Sequence, residues 1–501
     1  MFPTKRSLAA FCVALLINFA SAVVLNGQTR EVSPKSEVET SRPAEKKATP
    51  DERIGQLEAQ VAAMQQQIEE LKKLLTAGTQ AAAAKPEVKE PAAEAKPTET
   101  ARSETVPTGQ QKPELGVNLG SARLTPYGSI YFNAFTNTGG TNNADVPLFA
   151  TPTGRGGASA SLRQTRFGVR LEGARAGNAN LSAVLEADFF GGFPSVGIGE
   201  NFGVVRLRLA NVKLAWEKTS LTLGQDWSVF APASPTSLAA AAIPQMAAAG
   251  NNWARLPQIK AETRFGKFVT MQAAVAAPQS GDSATNAAFF LQPNSGTASR
   301  VPYFQGRVSL ADTNVFGTKK PGSIAISGHY GRSRVFTGAS GVKNDSDSVG
   351  IALDWNLPLH DRLILTGEAF TGRNLAGFQG GIFQGLNAEF AYRQGTTLVP
   401  GGVRAIGTRG GWAQLGFTPE AFRDRLTIYG SFGLDDPRNE DLVTFVPRDV
   451  RTRNFAAAIE AIYKFTPQFS AGIEFRRFRT DWTLSGRQNS NHVNLAAVYS
   501  F

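Results

Sequence analysis

The chain reads as an all-β protein: an antiparallel transmembrane β-barrel of about sixteen strands with an N-terminal helical coiled-coil extension. Three observations predict this. From residue 116 onward, apolar side chains recur at every second position in short runs broken by Gly, Asn, Asp and Pro, which is the signature of strands with one greasy face. No run of 18 apolar residues follows the N-terminus, which argues against helical spans. A mean hydropathy of -0.18 suits a barrel, because the polar lumen-facing half of each strand hides the apolar half from averages.

Residues 1–22 carry Lys5 and Arg6, an apolar core and the small-x-small site Ala20-Ser21-Ala22, a removable secretory leader. The sole cysteine, Cys12, lies inside that core, so the mature chain is expected to hold no thiol or disulfide. Residues 23–48 are polar, charged and poor in aromatics, the composition of a disordered segment.

A helix over 49–78 opens on Thr49-Pro50-Asp51-Glu52, which supplies a cap, a first-turn proline and acids at the positive dipole end. Ile54, Leu57, Val61, Met64, Ile68, Leu71 and Leu75 follow at alternating spacings of three and four, a heptad seam flanked by Gln, Glu and Lys. So short a seam is marginal alone, and barrel contacts would have to add to it. Residues 79–115 are rich in Ala, Pro, Lys and Glu and read as a linker, able to reach on the order of 100 Å if extended.

Residues 116–501 form the barrel. Strands are expected near 127–135, 163–173, 180–190, 204–213, 221–228, 258–265, 268–277 and 303–311, then 323–331, 348–357, 363–371, 409–417, 426–434, 455–465, 469–478 and 488–501. An even count puts both barrel ends on the periplasmic side, where tight turns fall at 176–178, 265–267, 359–361 and 466–468. The last strand runs to Tyr499 and Phe501 with apolar or small residues at alternate positions before them. That ending resembles the C-terminal signature of bacterial outer-membrane barrels, which implies recognition by the barrel-insertion machinery.

Formal net charge is +11, all of it in residues 118–501, where 29 Arg and 8 Lys outnumber the acids. The bias to Arg suits forks that grip carboxylate or phosphate oxygens. Nucleic-acid binding is disfavoured, because the cations are scattered among strands instead of forming a run or a known module. Strand parity places Arg166, Arg170, Arg206, Arg208, Lys260 and Arg264 inward, as an anion-attracting wall of the narrowest zone. Glu186, Asp188, Glu474 and Arg476 also point in, and cross-strand pairing is expected to occupy half or more of the inward charges. The alanine-rich stretch 231–252 either folds into the barrel and narrows it, which its small apolar content favours, or covers the mouth.

Nothing in the sequence suggests an enzyme, a cofactor or a metal site: His329, His360 and His492 are far apart and no nucleophile–base–acid grouping stands out. The segments Arg206-Leu207-Arg208-Leu209-Ala210, 223–230 (LGQDWSVF), 255–259 (RLPQI) and 367–375 (GEAFTGRNL) together resemble the DcaP-like trimeric porins of Gram-negative outer membranes. The resemblance implies a homotrimer in outer-membrane lipid with anion-preferring pores for small organic acids such as dicarboxylates, and the even strand count makes the N-terminal arm periplasmic. The seam composition itself leans toward dimers. A different class stays open: a structural outer-membrane protein whose coiled-coil arm spaces or tethers the membrane to the cell wall, touching peptidoglycan.

Overall fold

The computed structural model describes residues 116–501 apart from 193–202, 282–285, 288, 289, 292, 313–317, 319 and 338–340. The leader, the coiled-coil seam from Ile54 to Leu75 and the linker lie outside the described residues.

Sixteen antiparallel strands close on themselves. They are β1 (Ala122–Asn137), β2 (Arg166–Ala176), β3 (Ala179–Asp188), β4 (Arg206–Ala215), β5 (Thr219–Trp227), β6 (Arg255–Phe265), β7 (Val269–Ala276) and β8 (Tyr303–Asp312). The second half comprises β9 (Gly322–Thr337), β10 (Val342–His360), β11 (Leu363–Arg373), β12 (Gly407–Phe417), β13 (Leu426–Pro437), β14 (Arg451–Lys464), β15 (Phe469–Trp482) and β16 (Gly486–Ser500). Each corresponds to one strand expected from the alternation. Closure pairs Ser129 of β1 with Ser500 of β16 and Asn137 with His492. Phe501 continues the seam, its N–H donating to the Gly128 carbonyl at 3.0 Å. A Cβ on Gly128 would stand 2.8 Å from the Arg166 carbonyl oxygen, besides meeting the Phe501 ring, so a glycine is needed there.

The barrel is inside-out relative to a soluble protein. Along β15 the inward Glu474, Arg476 and Phe478 are each 1% exposed, whereas the outward Ile473 and Phe475 are 42% and 44% exposed. In hydrocarbon that outward face is satisfied by lipid, and closure leaves no unpaired strand edge. At one end of the barrel only 483–485 separate β15 from β16, but the longest connections also lie there, among them 228–254 between β5 and β6 and 374–406 between β11 and β12. The latter carries its own hairpin, Leu386–Gln394 with Thr397–Ala405, which the alternation did not reveal.

Candidate pore constriction

The alanine-rich connection 228–254 folds into the lumen. It leaves β5 under Gln305 of β8, whose Oε1 accepts the Val229 N–H at 2.9 Å, and under Ser327 of β9, whose hydroxyl accepts the Ala231 N–H at 3.1 Å. Phe230 buries its ring against Phe378 and His329, at centroid distances of 5.2 and 5.6 Å. From there the backbone follows the inner wall. The Ala233 N–H donates to Glu368 Oε2 on β11 at 3.3 Å, Thr236 to Gln414 Oε1 on β12 at 2.8 Å, and Leu238 to Glu460 Oε1 on β14 at 2.8 Å. The Ser237 hydroxyl and Gln245 Nε2 both donate to Glu474 Oε2 on β15, at 2.7 and 2.6 Å.

On reaching β1, β2 and β4 the wall offers donors as well as acceptors, and Gln164 Oε1 accepts the Ala241 and Ala242 N–H groups at 2.7 and 2.9 Å. Gln164, ahead of β2, donates Nε2 to the Ala239 carbonyl at 3.0 Å and to Asn133 of β1 at 3.0 Å. Arg166 Nη2 donates to the Ala241 carbonyl at 3.2 Å, and Arg206 Nη2 to the Ala242 carbonyl at 2.9 Å. The segment is thus a strap held through both its N–H and its carbonyl groups, by carboxylates and Gln414 on one wall and by guanidinium groups and Gln164 on the other. Charge-assisted bonds of this kind contribute about 1.5–3 kcal/mol each. Small side chains let the strap lie flat. Where it returns past β13, a Cβ on Gly433 would stand 2.1 Å from the Ala249 carbonyl oxygen, so only glycine permits the approach.

The six cations marked by parity fall into three settings. Arg206, a quarter exposed, and buried Arg208 form one network: Arg206 grips Asp188 at 3.0 and 2.6 Å, while Arg208 bonds Glu186 at 2.7 Å and Asp188 at 2.9 Å. Tyr127 completes it by donating its hydroxyl to Glu186 Oε2 at 3.1 Å. Arg166 lies beneath the strap, 5.5 Å from the Tyr131 ring. Arg170, Lys260 and Arg264 sit nearer the turn end. Arg170 lies 5.0 Å from the Tyr127 ring and 3.9 Å from Glu172; Lys260 Nζ pairs with Asp226 at 2.5 Å; Arg264 donates to the Glu217 carbonyl at 3.1 Å.

A bulge shapes this wall: the register shifts between Glu186, opposite Leu209, and Ala187, opposite Leu207. Strict parity would carry Leu209 to the lipid face with Leu207, but pairing sets it across from inward Glu186. Glu368, Glu460 and Gln414, which hold the strap, were not singled out from sequence; their inward positions on alternating strands were the available signal. Among the described residues there is no group of three or more His, Cys, Asp or Glu arranged to hold a metal ion.

No protein-family model matches the sequence, and no curated protein does. Among solved structures, the outer membrane channel DcaP of Acinetobacter baumannii matches at a TM-score of 0.56 and 17% identity, over 76% of this chain and 98% of that one. An anion-selective porin from Comamonas acidovorans matches at 0.46 and 14%, over 76% and 100%, and OprB of Pseudomonas putida at 0.44 and 10%, over 75% and 94%. The fold is that of an outer-membrane porin. Within that class the barrel shares its architecture with the DcaP channel, in line with the resemblance carried by the sequence segments above.

Proposed function

We propose that the chain forms a passive outer-membrane diffusion channel that prefers small anions, with organic acids and dicarboxylates as the solute class. One observation supports the preference. The strap covers the carboxylates of its acidic wall, leaving Glu368, Glu460 and Glu474 at most 1% exposed. The facing wall keeps cations in water, with side-chain exposures of 48% for Arg170, 25% for Arg206 and 17% for Lys260. The strap buries three acids of one wall, while the facing wall leaves Arg170, Arg206 and Lys260 in water beside Glu172 and Asp226. The charge shown to the lumen therefore leans toward the bases, which concentrates anions and repels cations. A solute carboxylate exchanges water for guanidinium there, and the contacts must be few enough to release it again.

Reversal potentials of the reconstituted protein in a salt gradient test this: anion preference is expected, and cation preference or absence of conductance rejects it. In this reading the protein is a homotrimer, with Phe501 and Tyr499 read by the insertion machinery and residues 23–115 a periplasmic arm whose 49–78 coiled coil adds to barrel contacts. The outward face of β1–β3 supports oligomerisation, with small residues such as Ala134 and Ala183 at outward positions.

A second reading is favoured by the apolar clusters that the inward connections build, such as Val146, Leu148, Phe149, Trp253 and Ile382. Here the barrel is a plugged anchor for an arm that tethers the membrane to peptidoglycan. Deleting residues 23–115 separates the two, because the channel keeps its conductance and the anchor loses only envelope attachment.

A further inference from the structure

The outer surface of β9–β16 carries a charged collar at its loop end, one outward position beyond the apolar belt. On β13 the step is from Leu434 to Asp436, on β14 from Phe455 to Arg453, and on β15 from Phe475 to Arg477. Two residues of strand advance about 7 Å, the step from hydrocarbon to headgroup depth.

The collar is built from a repeated unit in which one carboxylate lies between two cations. Asp436 is bonded by Arg453 Nε at 2.9 Å and by Arg409 at 3.4 Å. Asp347 is bonded by Arg332 at 2.9 Å, with Arg373 at 3.9 Å. Asp345 takes Arg334 at 2.6 Å and Lys343 at 3.3 Å, and Asp481 takes Arg487 at 2.8 Å with Arg479 at 4.0 Å. The register makes part of this a continuous row, since Arg409 lies opposite Asp436, Arg453 opposite Asp481, and Asp481 opposite Arg487.

Cross-strand pairing alone would be served by one cation per acid. Here each of the four acids has two, and the cations reach solvent to different degrees, from 78% exposure for Arg409 and 52% for Arg453 to 18% for Arg334. On the opposite side the corresponding positions of β1 and β4, Thr136 and Leu207, are uncharged, as is Phe189 just past β3, while β6 opens on Arg255.

We infer that the β9–β16 collar docks a phosphorylated glycolipid of the outer leaflet, its phosphates seated between the paired arginines and its acyl chains on the apolar belt below. The charge complementarity is of the bidentate guanidinium–phosphate kind at the Asp347, Asp436 and Asp481 units, where the second cation is an arginine, while Lys343 supplies a point charge at Asp345. The inference rests on the barrel spanning the outer membrane with its long connections outward, and the test separates the two.

The full-length protein is purified in mild detergent and incubated with bisphosphorylated lipid A, with the same lipid A after dephosphorylation, and with inorganic phosphate. Bound molecules are counted by native mass spectrometry. Wild type should retain bisphosphorylated lipid A at least tenfold better than the dephosphorylated form, and inorganic phosphate at equal concentration should not displace it. The combined variant Arg409→Gln, Arg453→Gln, Arg477→Gln should lose that tenfold advantage, whereas Arg175→Gln with Lys267→Gln at the turn end should keep it. Equal retention of both lipids by wild type, displacement by free phosphate, or an unchanged collar variant overturns the inference, and the wild-type arms decide it even if the collar variant misassembles. Conductance of the same wild-type preparation is read in parallel. A barrel that conducts but ignores the phosphates removes only this inference, and one that neither inserts nor conducts removes the channel reading.

Discussion

Arg206 holds Asp188 in a two-point ion pair, with Nε at 3.0 Å and Nη2 at 2.6 Å, and the same Nη2 reaches the Ala242 carbonyl of the strap at 2.9 Å. One guanidinium therefore joins the neutralisation of a buried acid to the placement of the constriction. Its neighbour Arg208, 1% exposed, shares Asp188 and adds Glu186, so the network has two cations for two acids.

Removing Arg208 leaves Glu186 without its closest cation in a buried site. Arg208→Gln should cost about 3–5 kcal/mol, the usual consequence of breaking a buried pair from one side. The readout is the temperature at which the folded barrel converts to the unfolded band in a heat-modifiability assay. Glu186→Gln combined with Arg208→Gln should recover a large part of the loss, since no unpaired charge then remains.

Gly433 tests the strap as a close-packed element. A Cβ there would meet the Ala249 carbonyl oxygen at 2.1 Å, a backbone contact that cannot swing aside. Gly433→Ala should destabilise the barrel by about 1–3 kcal/mol through overpacking. In a variant lacking residues 232–252 the same substitution should cost almost nothing. An equal cost in both backgrounds would show that the strap is not what the methyl group meets.

Outside the strands, Asp449 ties the connection between β13 and β14 to the turn between β15 and β16. It accepts the Leu484 N–H at 2.9 Å, the Ser485 N–H at 3.1 Å and the Ser485 hydroxyl. Partial burial pushes its carboxyl up, but the bonds from the Ser485 hydroxyl and the two amides outweigh this and hold it below the ordinary carboxylate value. A carboxyl depressed in the folded state stabilises the tie above its unfolded value and loses that contribution as pH falls through the folded one. Hydrogen exchange at the Leu484 and Ser485 amides should therefore be protected at neutral pH and lose protection below the usual carboxylate range. In Asp449→Asn protection should already be reduced at neutral pH and vary little with acidification.

The strands were legible because each obeys a period of two. The charges were legible only as to side. Phe167, Leu207 and Ile259 mark the lipid face and thereby set Arg166, Arg206, Arg208 and Lys260 inside, but which acid each cation meets depends on register and bulges. Asp188 reaches Arg206 across 18 residues, and Ser237 meets Glu474 across 237. No local pattern encodes those meetings. The loopward parts of β9 and β10 escaped notice for a related reason, because Arg332, Arg334, Asp345 and Asp347 put charge on the outward face and end the apolar alternation while the ladder continues.

Selectivity should respond in opposite directions to two substitutions in a single pair. Lys260 Nζ stands 2.5 Å from Asp226 Oδ2, with both side chains partly in water, at 17% and 16% exposure. Lys260→Gln removes a lumen cation and leaves a wet carboxylate, so the reversal potential in a salt gradient should move toward the cation side. Asp226→Asn removes the acid and frees the ammonium, so anion preference should increase. The local charge change is one unit in each case and the strap anchors at Ala241 and Ala242 are untouched, so single-channel conductance should change less than about twofold. Arg170→Gln, at the more exposed Arg170, should shift the potential in the same direction as Lys260→Gln. Shifts of the same sign for Lys260→Gln and Asp226→Asn would mean that the pair acts through barrel geometry and that ions pass elsewhere.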